Sequence, residues 1–203
     1  MWEWITSRST EIDLALNGIM VLVWLVYLQL FLVTFLRQTR TEILISTGAG
    51  RGLNLRCFVS NLGMEPIYVS DIVLCLRGQD GETRAFVTDR DELRPEDLHR
   101  PGEATNQGPL RSAQSADIGS FADLLGRARG GTGLALDPGS LDCLEVVVVA
   151  SAASNATLIA AKRRFTIEGE GDTIRVKPAT LRTRQIRSLL ARRRLQKELQ
   201  ARL

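Results

Sequence analysis

The chain has 203 residues, 24% of them charged, and a formal net charge of +3. Once an apolar stretch near the N-terminus and the residues before it are set aside, about 165 residues remain, which suits one domain of ordinary size and a tail. Three cysteines without CxxC or Cys/His spacing argue against a disulfide framework and against a zinc site. A single pairing of Cys57 with Cys75 stays open at this stage.

Residues 14–36 form a predominantly apolar stretch without a charged side chain. As a helix rising about 1.5 Å per residue it would reach roughly 35 Å, enough to cross a hydrocarbon core of about 30 Å. The stretch lacks the basic start, short apolar core and small-residue cleavage site of a signal peptide. The sequence therefore predicts a short N-terminal segment at residues 1–13 and a transmembrane helix at residues 14–36.

The charges that flank this stretch predict its orientation. Residues 1–13 carry one arginine against three acids, whereas Arg37 and Arg40 follow the stretch directly. The positive-inside tendency places the more basic flank in the cytoplasm. We therefore expect a single-pass protein of the inner membrane whose soluble part is cytoplasmic.

One side of the predicted helix differs in composition from the rest. Leucine, valine and isoleucine occupy most positions, but at 100° per residue six others fall within a sector of about 100°. Amides, hydroxyls and aromatic rings in a membrane usually face protein rather than lipid. This pattern predicts a face that packs in a homo-oligomer or a larger membrane complex, made of Asn17, Met20, Trp24, Tyr27, Phe31 and Thr34.

The alternative to a packing face is a lone membrane anchor. In a lone anchor, Tyr27 and Thr34 would hydrogen-bond to the backbone or reach the headgroups. Gly18 and Gln29 share a different side of the helix, which either adds a second contact or argues against a single packing face.

The pattern after the membrane stretch is typical of β-structure. Residues 42–46 form either a short strand or the frayed end of the membrane helix. The glycines of residues 48–52 predict a turn, because their spacing matches no phosphate-binding loop. Residues 53–60 alternate apolar and polar, and residues 66–77 form a second strand whose phase shifts near Ser70 and Asp71, where a bulge would fit. Residues 83–88 follow as a third strand.

The run LNLRCFVSNLGMEPIYVSDIVLCL, with its strand, Asn-x-Gly turn and second strand, carries a family resemblance. It resembles bacterial immunoglobulin-like sandwiches of the CARDB and fibronectin type III kind. Such domains are generally adhesive or interaction modules, so the resemblance implies a β-sandwich fold more than an activity.

The rest of the predicted domain, residues 41–178, contains an insertion at residues 89–131. Residues 89–115 read as a long loop, and Ser120 to Asp123 form a capping box for a short helix that ends at Gly130 and Gly131. Strands are expected at residues 133–136, 144–150, 157–168 and 173–177. The valine run in the second of these is apolar on both faces, which predicts a central strand.

Residues 179–203 are predicted to form a basic helical tail that starts near Thr180 or Thr183. Residues 180–203 hold eight basic side chains against one acid. Anionic lipid headgroups, an acidic protein or RNA are conceivable partners, but the tail has no aromatic residue on which a base can stack, which disfavours nucleic acid. The plain alternative is a solvated helix. Its candidate contact residues are Arg182, Arg184, Arg187, Arg192, Arg193, Arg194 and Lys197.

The sequence offers no catalytic, cofactor-binding or metal-binding motif, so we expect a non-enzymatic protein. The first hypothesis is an accessory or assembly subunit that packs in a membrane complex through its helix and presents an interaction domain. The second is a membrane-tethered adaptor that recruits an acidic protein or nucleic acid through the tail.

Overall fold

The computed structural model describes residues 9–38, 41–78, 81–90, 92–93, 96, 101–133, 137–152, 158–169 and 171–200. The chain divides into two compact units, Met1–Arg40 and Thr41–Leu203.

The first unit contains one long helix, α1, which spans Ser9–Gln38. Glu11 lies in its first turn, where a carboxylate interacts favourably with the positive end of the helix dipole. By length and composition, Glu11–Phe35 is one helix that is long and apolar enough to cross a membrane. The side chains at positions 11–35 are all exposed. The predicted apolar helix at residues 14–36 is therefore confirmed as a helix.

Among the residues that the structure describes, the second unit contains two antiparallel sheets and two α-helices. A three-stranded sheet has the order β1-β2-β6, and a seven-stranded sheet has the order β10-β8-β7-β3-β4, with β5 added beside β3 and β9 beside β8. The strands are β1 (Ile43–Thr47), β2 (Arg56–Asn61), β3 (Ile67–Gly78), β4 (Gly81–Phe86), β5 (Gly108–Leu110), β6 (Ser115–Ser120), β7 (Leu141–Ala152), β8 (Leu158–Glu168), β9 (Arg175–Pro178) and β10 (Arg184–Ile186). The helices are α2 (Phe121–Thr132) and α3 (Leu189–Gln200).

Both sheets contribute to one hydrophobic core. Val59 of β2 and Val146 of β7 belong to the same buried cluster, which α2 joins through Phe121. The rings of Phe121 and Phe165 meet edge to face, with centroids 4.9 Å apart. Such aromatic pairs contribute about 0.5–1.5 kcal/mol beyond the area they bury. The core therefore ties the two sheets and α2 into one unit.

Strand β7 is central, as its valine run predicts. Val146 and Val148 belong to the core cluster, whereas Val147 and Val149 lie outside that cluster and are still buried. Because successive side chains of a strand point to opposite faces, β7 is covered on both sides.

The predicted bulge in the second long strand is also confirmed. The register of β3 against β7 shifts between Val69 and Asp71, next to the predicted phase change. Strand β2 starts later than expected, at Arg56, because Gly52–Asn54 forms a 3-10 turn. Gly133 ends α2, and the rest of the strand predicted at residues 133–136 lies outside the described residues.

The prediction of a long loop at residues 89–115 is wrong where β5 forms. Ile67 pairs with Leu110 and Tyr68 with Pro109, so Gly108–Leu110 adds an edge strand beside β3. Proline lacks a donor and makes such a segment look like a loop, but an edge strand tolerates it. Strand β6 pairs with β2 in the other sheet. The predicted insertion therefore supplies strands to both sheets.

Helix α2 begins as its capping box predicts. Asp123 N donates to Ser120 Oγ at 3.2 Å, and Ser120 N donates to Asp123 Oδ2 at 2.8 Å. The helix continues to Thr132 and ends at Gly133, whose φ of +66° is left-handed, rather than at Gly130 and Gly131. Glycine adopts this conformation without steric cost, which makes it a frequent helix end.

Arg127 of α2 is a buried cation, only 2% exposed in its side chain. Its guanidinium binds Glu92 through two nitrogens, with Nε 2.8 Å from Oε2, and donates to the carbonyls of Val87 and Ile118 at 3.2 and 3.0 Å. Burial alone would raise the pKa of Glu92, but the Arg127 hydrogen bond holds that pKa below its usual value. The pair fixes α2 to the segment after β4.

Asn61 is the fully buried polar residue at the end of β2. Its Nδ2 donates to the carbonyls of Glu65 and Leu110 at 2.8 and 3.1 Å, and its Oδ1 accepts from Gly63 N at 2.9 Å. Its backbone also bonds to the residues just before β6: Ala113 N donates to its carbonyl. One side chain therefore holds the turn after β2 against β5.

We predict that Asn61→Leu destabilises the second unit strongly. It leaves three backbone groups unpaired, each costing about 1–3 kcal/mol, so the free energy of unfolding should fall by about 3 kcal/mol or more. Urea denaturation of a residue 41–203 fragment measures this loss. Asn54→Leu is the matched control, since Asn54 is exposed, and should change stability by less than about 0.5 kcal/mol. A loss below about 1 kcal/mol for Asn61→Leu contradicts the prediction.

We also predict that Glu92→Gln flattens the acid side of the stability profile. A carboxyl whose folded-state pKa is depressed contributes stability above its unfolded pKa of about 4.3, and this contribution is lost as the pH falls through the folded value. Thermal melting across this range should show a shallower acid-induced loss in Glu92→Gln than in the parent protein. The exposed Glu96 supplies the control variant Glu96→Gln, which should follow the parent profile. Parallel parent and Glu92→Gln profiles would rule out this role of the Arg127 pair.

Candidate interaction surfaces

The first candidate surface is the predicted packing face of α1. All six of its residues lie on the described helix and are exposed. The rings of Trp24 and Tyr27 meet edge to face with centroids 6.4 Å apart, and those of Phe31 and Phe35 stack at 6.1 Å. These contacts place the aromatic side chains next to one another along one side of the helix. Phe35 extends the face at its edge.

The polar members of this face have no hydrogen-bond partner among the residues that the structure describes. This holds for Asn17, Tyr27 and Thr34, including bonds to the helix backbone. In a medium without water, an amide or hydroxyl gains free energy by bonding to protein, at about 1 kcal/mol per bond. The face therefore offers three groups that a second helix can satisfy.

The second candidate surface is the basic tail, whose start is corrected by the structure. The predicted helix start near Thr180 or Thr183 is wrong, because Arg184–Ile186 forms β10 and pairs with Lys162, Ala161 and Ala160 of β8. Pairing with the sheet overrides the helix propensity of this stretch, and α3 begins only at Leu189.

The segment before and within β10 also closes the outer edge of β1. Thr183 Oγ1 accepts from Ile45 N at 2.9 Å and donates to Ile45 O at 3.2 Å. Gln185 Nε2 donates to Ile43 O at 2.6 Å, and its Oε1 accepts from Ile43 N at 3.3 Å. Arg163 donates to Ile45 O at 2.5 Å. The side chains of Thr183, Gln185 and Arg163 therefore bond to backbone groups on the edge of β1 that does not pair with β2.

Most basic side chains of the tail remain at the surface. Arg192 is half-buried, and its Nε donates to Ile186 O at 3.0 Å. No acid within the described parts of the chain forms an ion pair with the exposed residues of this set. They are Arg182, Arg184, Arg187, Arg193, Arg194 and Lys197.

A groove of about 540 Å³ lies between α3 and the outward face of the seven-stranded sheet. Val73, Val147 and Cys75 lie on the sheet side, and burial raises the pKa of the Cys75 thiol to about 11. Leu190 and Leu195 of α3 also line the groove, together with Ile186 and Ala191.

Four charged residues line the same groove. Arg84, Lys162 and Arg194 are basic, and Glu145 is the acid among them. Glu145 is bound by Lys162 Nζ at 2.9 Å and by Arg164 at 3.5 Å, so internal partners already compensate its charge. The groove is therefore apolar with a cationic excess. Sequence reasoning missed it because six elements contribute to it, although the apolar outward face of the valine run was a signal.

A further cavity of about 590 Å³ lies beside the glycine turn at residues 48–52. Gly50 and Gly52 have φ values of +113° and +57°, and a Cβ at Gly50 would come within 2.1 Å of Asn54 O, so only glycine fits there. These positive φ values agree with the predicted glycine turn at residues 48–52. Arg51 and Arg175 are exposed at the cavity wall.

The cysteines are free thiols. Cys57 lies in the core, where burial raises its pKa to about 12, and Cys75 lies on the outward face of the other sheet. Within the described ranges, no group of three or more His, Cys, Asp or Glu side chains is placed to hold a metal ion.

Comparison with protein-family models, with curated proteins and with solved structures finds no match to this chain.

Proposed function

We propose that this protein is a non-enzymatic, single-pass membrane protein that acts as an accessory or assembly subunit of a membrane complex. Its helix α1 packs against another membrane helix, from a second copy or from a different subunit. The unit Thr41–Leu203 is presented from this anchor as an interaction domain.

The composition of α1 carries this proposal. Twenty-five residues, Glu11–Phe35, form an apolar helix whose side chains are exposed on every side. In water each exposed leucine or phenylalanine would forgo about 1.5–3 kcal/mol of burial, whereas lipid accepts all of them. Lipid does not hydrogen-bond Asn17, Tyr27 or Thr34, so one side of the helix favours a protein neighbour.

The second unit fits an immunoglobulin-like interaction module under this proposal. Its two antiparallel sheets share one core, and the Asn-x-Gly turn is built around the buried Asn61. Sandwiches of this kind offer their sheet faces and end loops to partners.

A second candidate function rests on the basic side chains of the tail. Six of them have no ion pair to an acid among the described residues, and such cations attract an acidic protein or an anionic lipid surface. Under this alternative the protein is an adaptor that brings a soluble partner to the membrane, and α1 serves only as an anchor.

We expect co-purification from detergent-solubilised membranes to separate the two functions. Replacing Asn17, Trp24 and Tyr27 by leucine removes the polar and aromatic groups of the α1 face and should abolish recovery of membrane partners. The matched control is Leu22→Val, Val26→Leu and Val33→Leu on the opposite side of α1, which should leave recovery intact.

Removal of residues 189–203 is the second arm of this experiment. It deletes α3 but keeps Thr183 and Gln185 on the edge of β1, so the domain remains closed. Loss of soluble partners in this variant alone favours the adaptor. If neither variant changes the recovered proteins, the packing function of α1 and an adaptor function of α3 are both wrong.

The inner-membrane location with a cytoplasmic domain gives a separate prediction. Cys57 is fully buried and unsuited to labelling, whereas Leu181 is 92% exposed. In a bacterial host, Leu181→Cys should react with a membrane-impermeant maleimide only after permeabilisation, because the positive-inside tendency keeps the basic flank of α1 in the cytoplasm. The unsubstituted chain reports background labelling of Cys75 and Cys143. Labelling of Leu181→Cys in intact cells means that the orientation is reversed.

A further inference from the structure

The groove between α3 and the seven-stranded sheet is open and amphipathic. Val73 and Val147 are 4% and 6% exposed and form its floor, while Leu190 on the α3 side is 72% exposed. An apolar side chain that entered the groove would meet valine below and leucine beside it. Filling such a site removes apolar surface from water on both partners.

The charges of the groove select the chemistry of its occupant. Three basic side chains and one acid line the groove, and that acid is already held by Lys162 and Arg164. Arg84 is itself held by Glu82, which lies outside the lining, at 3.2 Å. Arg194 has no ion pair among the described residues. An occupant that carries carboxylates would therefore gain Coulomb energy, whereas a cationic one would be repelled.

The spacing of the cations distinguishes several acids from a single anionic group. Arg84 lies on β4 opposite Cys75, and Lys162 lies on β8 opposite Val147. The strand order β8-β7-β3-β4 puts three interstrand steps between them, or about 14 Å at a spacing of about 4.8 Å. Cations on backbone positions this far apart are matched better by acids at several positions of a peptide chain than by one carboxylate or one phosphate headgroup.

We propose that this groove binds an acidic segment of a protein partner, with one apolar side chain of that segment inserted between Val147 and Leu190. The proposal extends the interaction role given to the second unit, and it names the partner by its chemistry. It does not depend on the packing face of α1.

The test uses the full chain in phosphatidylcholine nanodiscs and a fluorescein-labelled peptide of alternating glutamate and leucine. Fluorescence anisotropy should show binding that weakens as salt is added, because the charges at the rim are screened. A lysine–leucine peptide should not bind, and a glutamate–serine peptide should bind about tenfold more weakly because it lacks the apolar anchor. Equal affinity for the two acidic peptides would mean that the valine floor does not bind an apolar side chain, and the proposal would be wrong.

Two neighbouring arginines of α3 provide a matched pair of variants. Both Arg193 and Arg194 are exposed, but only Arg194 lines the groove. Arg194→Glu should weaken peptide binding about tenfold, and Arg193→Glu should change it less than about twofold. Circular dichroism of both variants checks that α3 is retained. Equal losses would mean diffuse attraction to the tail and would refute the groove.

Lipid competition completes the experiment. Peptide binding should persist when phosphatidylserine is added to the nanodiscs. If phosphatidylserine abolishes peptide binding, the basic side chains of the groove bind lipid headgroups, and the proposal of a protein partner is wrong. Failure of this proposal leaves the co-purification result for α1 unchanged, so the two outcomes can be told apart.

Discussion

The double-sided burial of β7 is the constraint from which much of the second unit follows. A strand with valine on both faces needs cover on both, because each exposed valine forgoes about 1.5 kcal/mol or more of burial. The inward side chains meet the core shared with the three-stranded sheet. The outward ones lie on the side to which the C-terminal segment returns, where β10 pairs with β8 and α3 contacts the sheet. The basic tail is therefore part of the folded unit as well as a charged appendage.

The same return of the chain closes the other sheet. Strand β1 pairs with β2 on one side only, and its second edge is met by Thr183, Gln185 and Arg163. An open edge strand is a template for unwanted pairing with other chains, and side-chain bonds to its backbone remove that risk. One short segment thus protects an edge of the small sheet and extends the large one. This is why removal of α3 alone and removal of the whole tail are different perturbations.

Local patterns predicted much of this fold, and long-range pairing accounts for what they missed. Alternation identified β2 and β3, the phase change identified the bulge near Asp71, and the capping box identified α2, because each depends on residues close in sequence. Strand β10 was predicted as helix because the arginines of residues 182–187 have good helix propensity and nothing nearby reveals that β8 has a free edge. Strand β5 was hidden by Pro109.

The candidate surfaces divide in the same way. The grouping of six α1 residues on one side could be predicted because a helix places residues three and four apart on one side whatever surrounds it, and their role in packing stays a prediction. The groove could not be predicted, because its lining comes from β3, β4, β7, β8, β10 and α3, and the cationic excess appears only when those elements meet. Arg84 illustrates the point: in the sequence it is one of many arginines, and in the fold it stands at the groove while Glu82 holds it at 3.2 Å.

The Arg84–Glu82 ion pair affects where a carboxylate of an acidic partner would gain the most binding free energy. Arg84 already shares its charge with Glu82, and Lys162 shares its charge with Glu145, so a new carboxylate at either position competes with an internal one. Arg194 has no such competitor among the described residues and projects from a helix that contacts the sheet on one side only. Charge at this position would govern how fast a partner arrives and how well it is selected, whereas the valine floor would govern how long it stays, because rim charges act mainly on association and buried apolar contacts on dissociation.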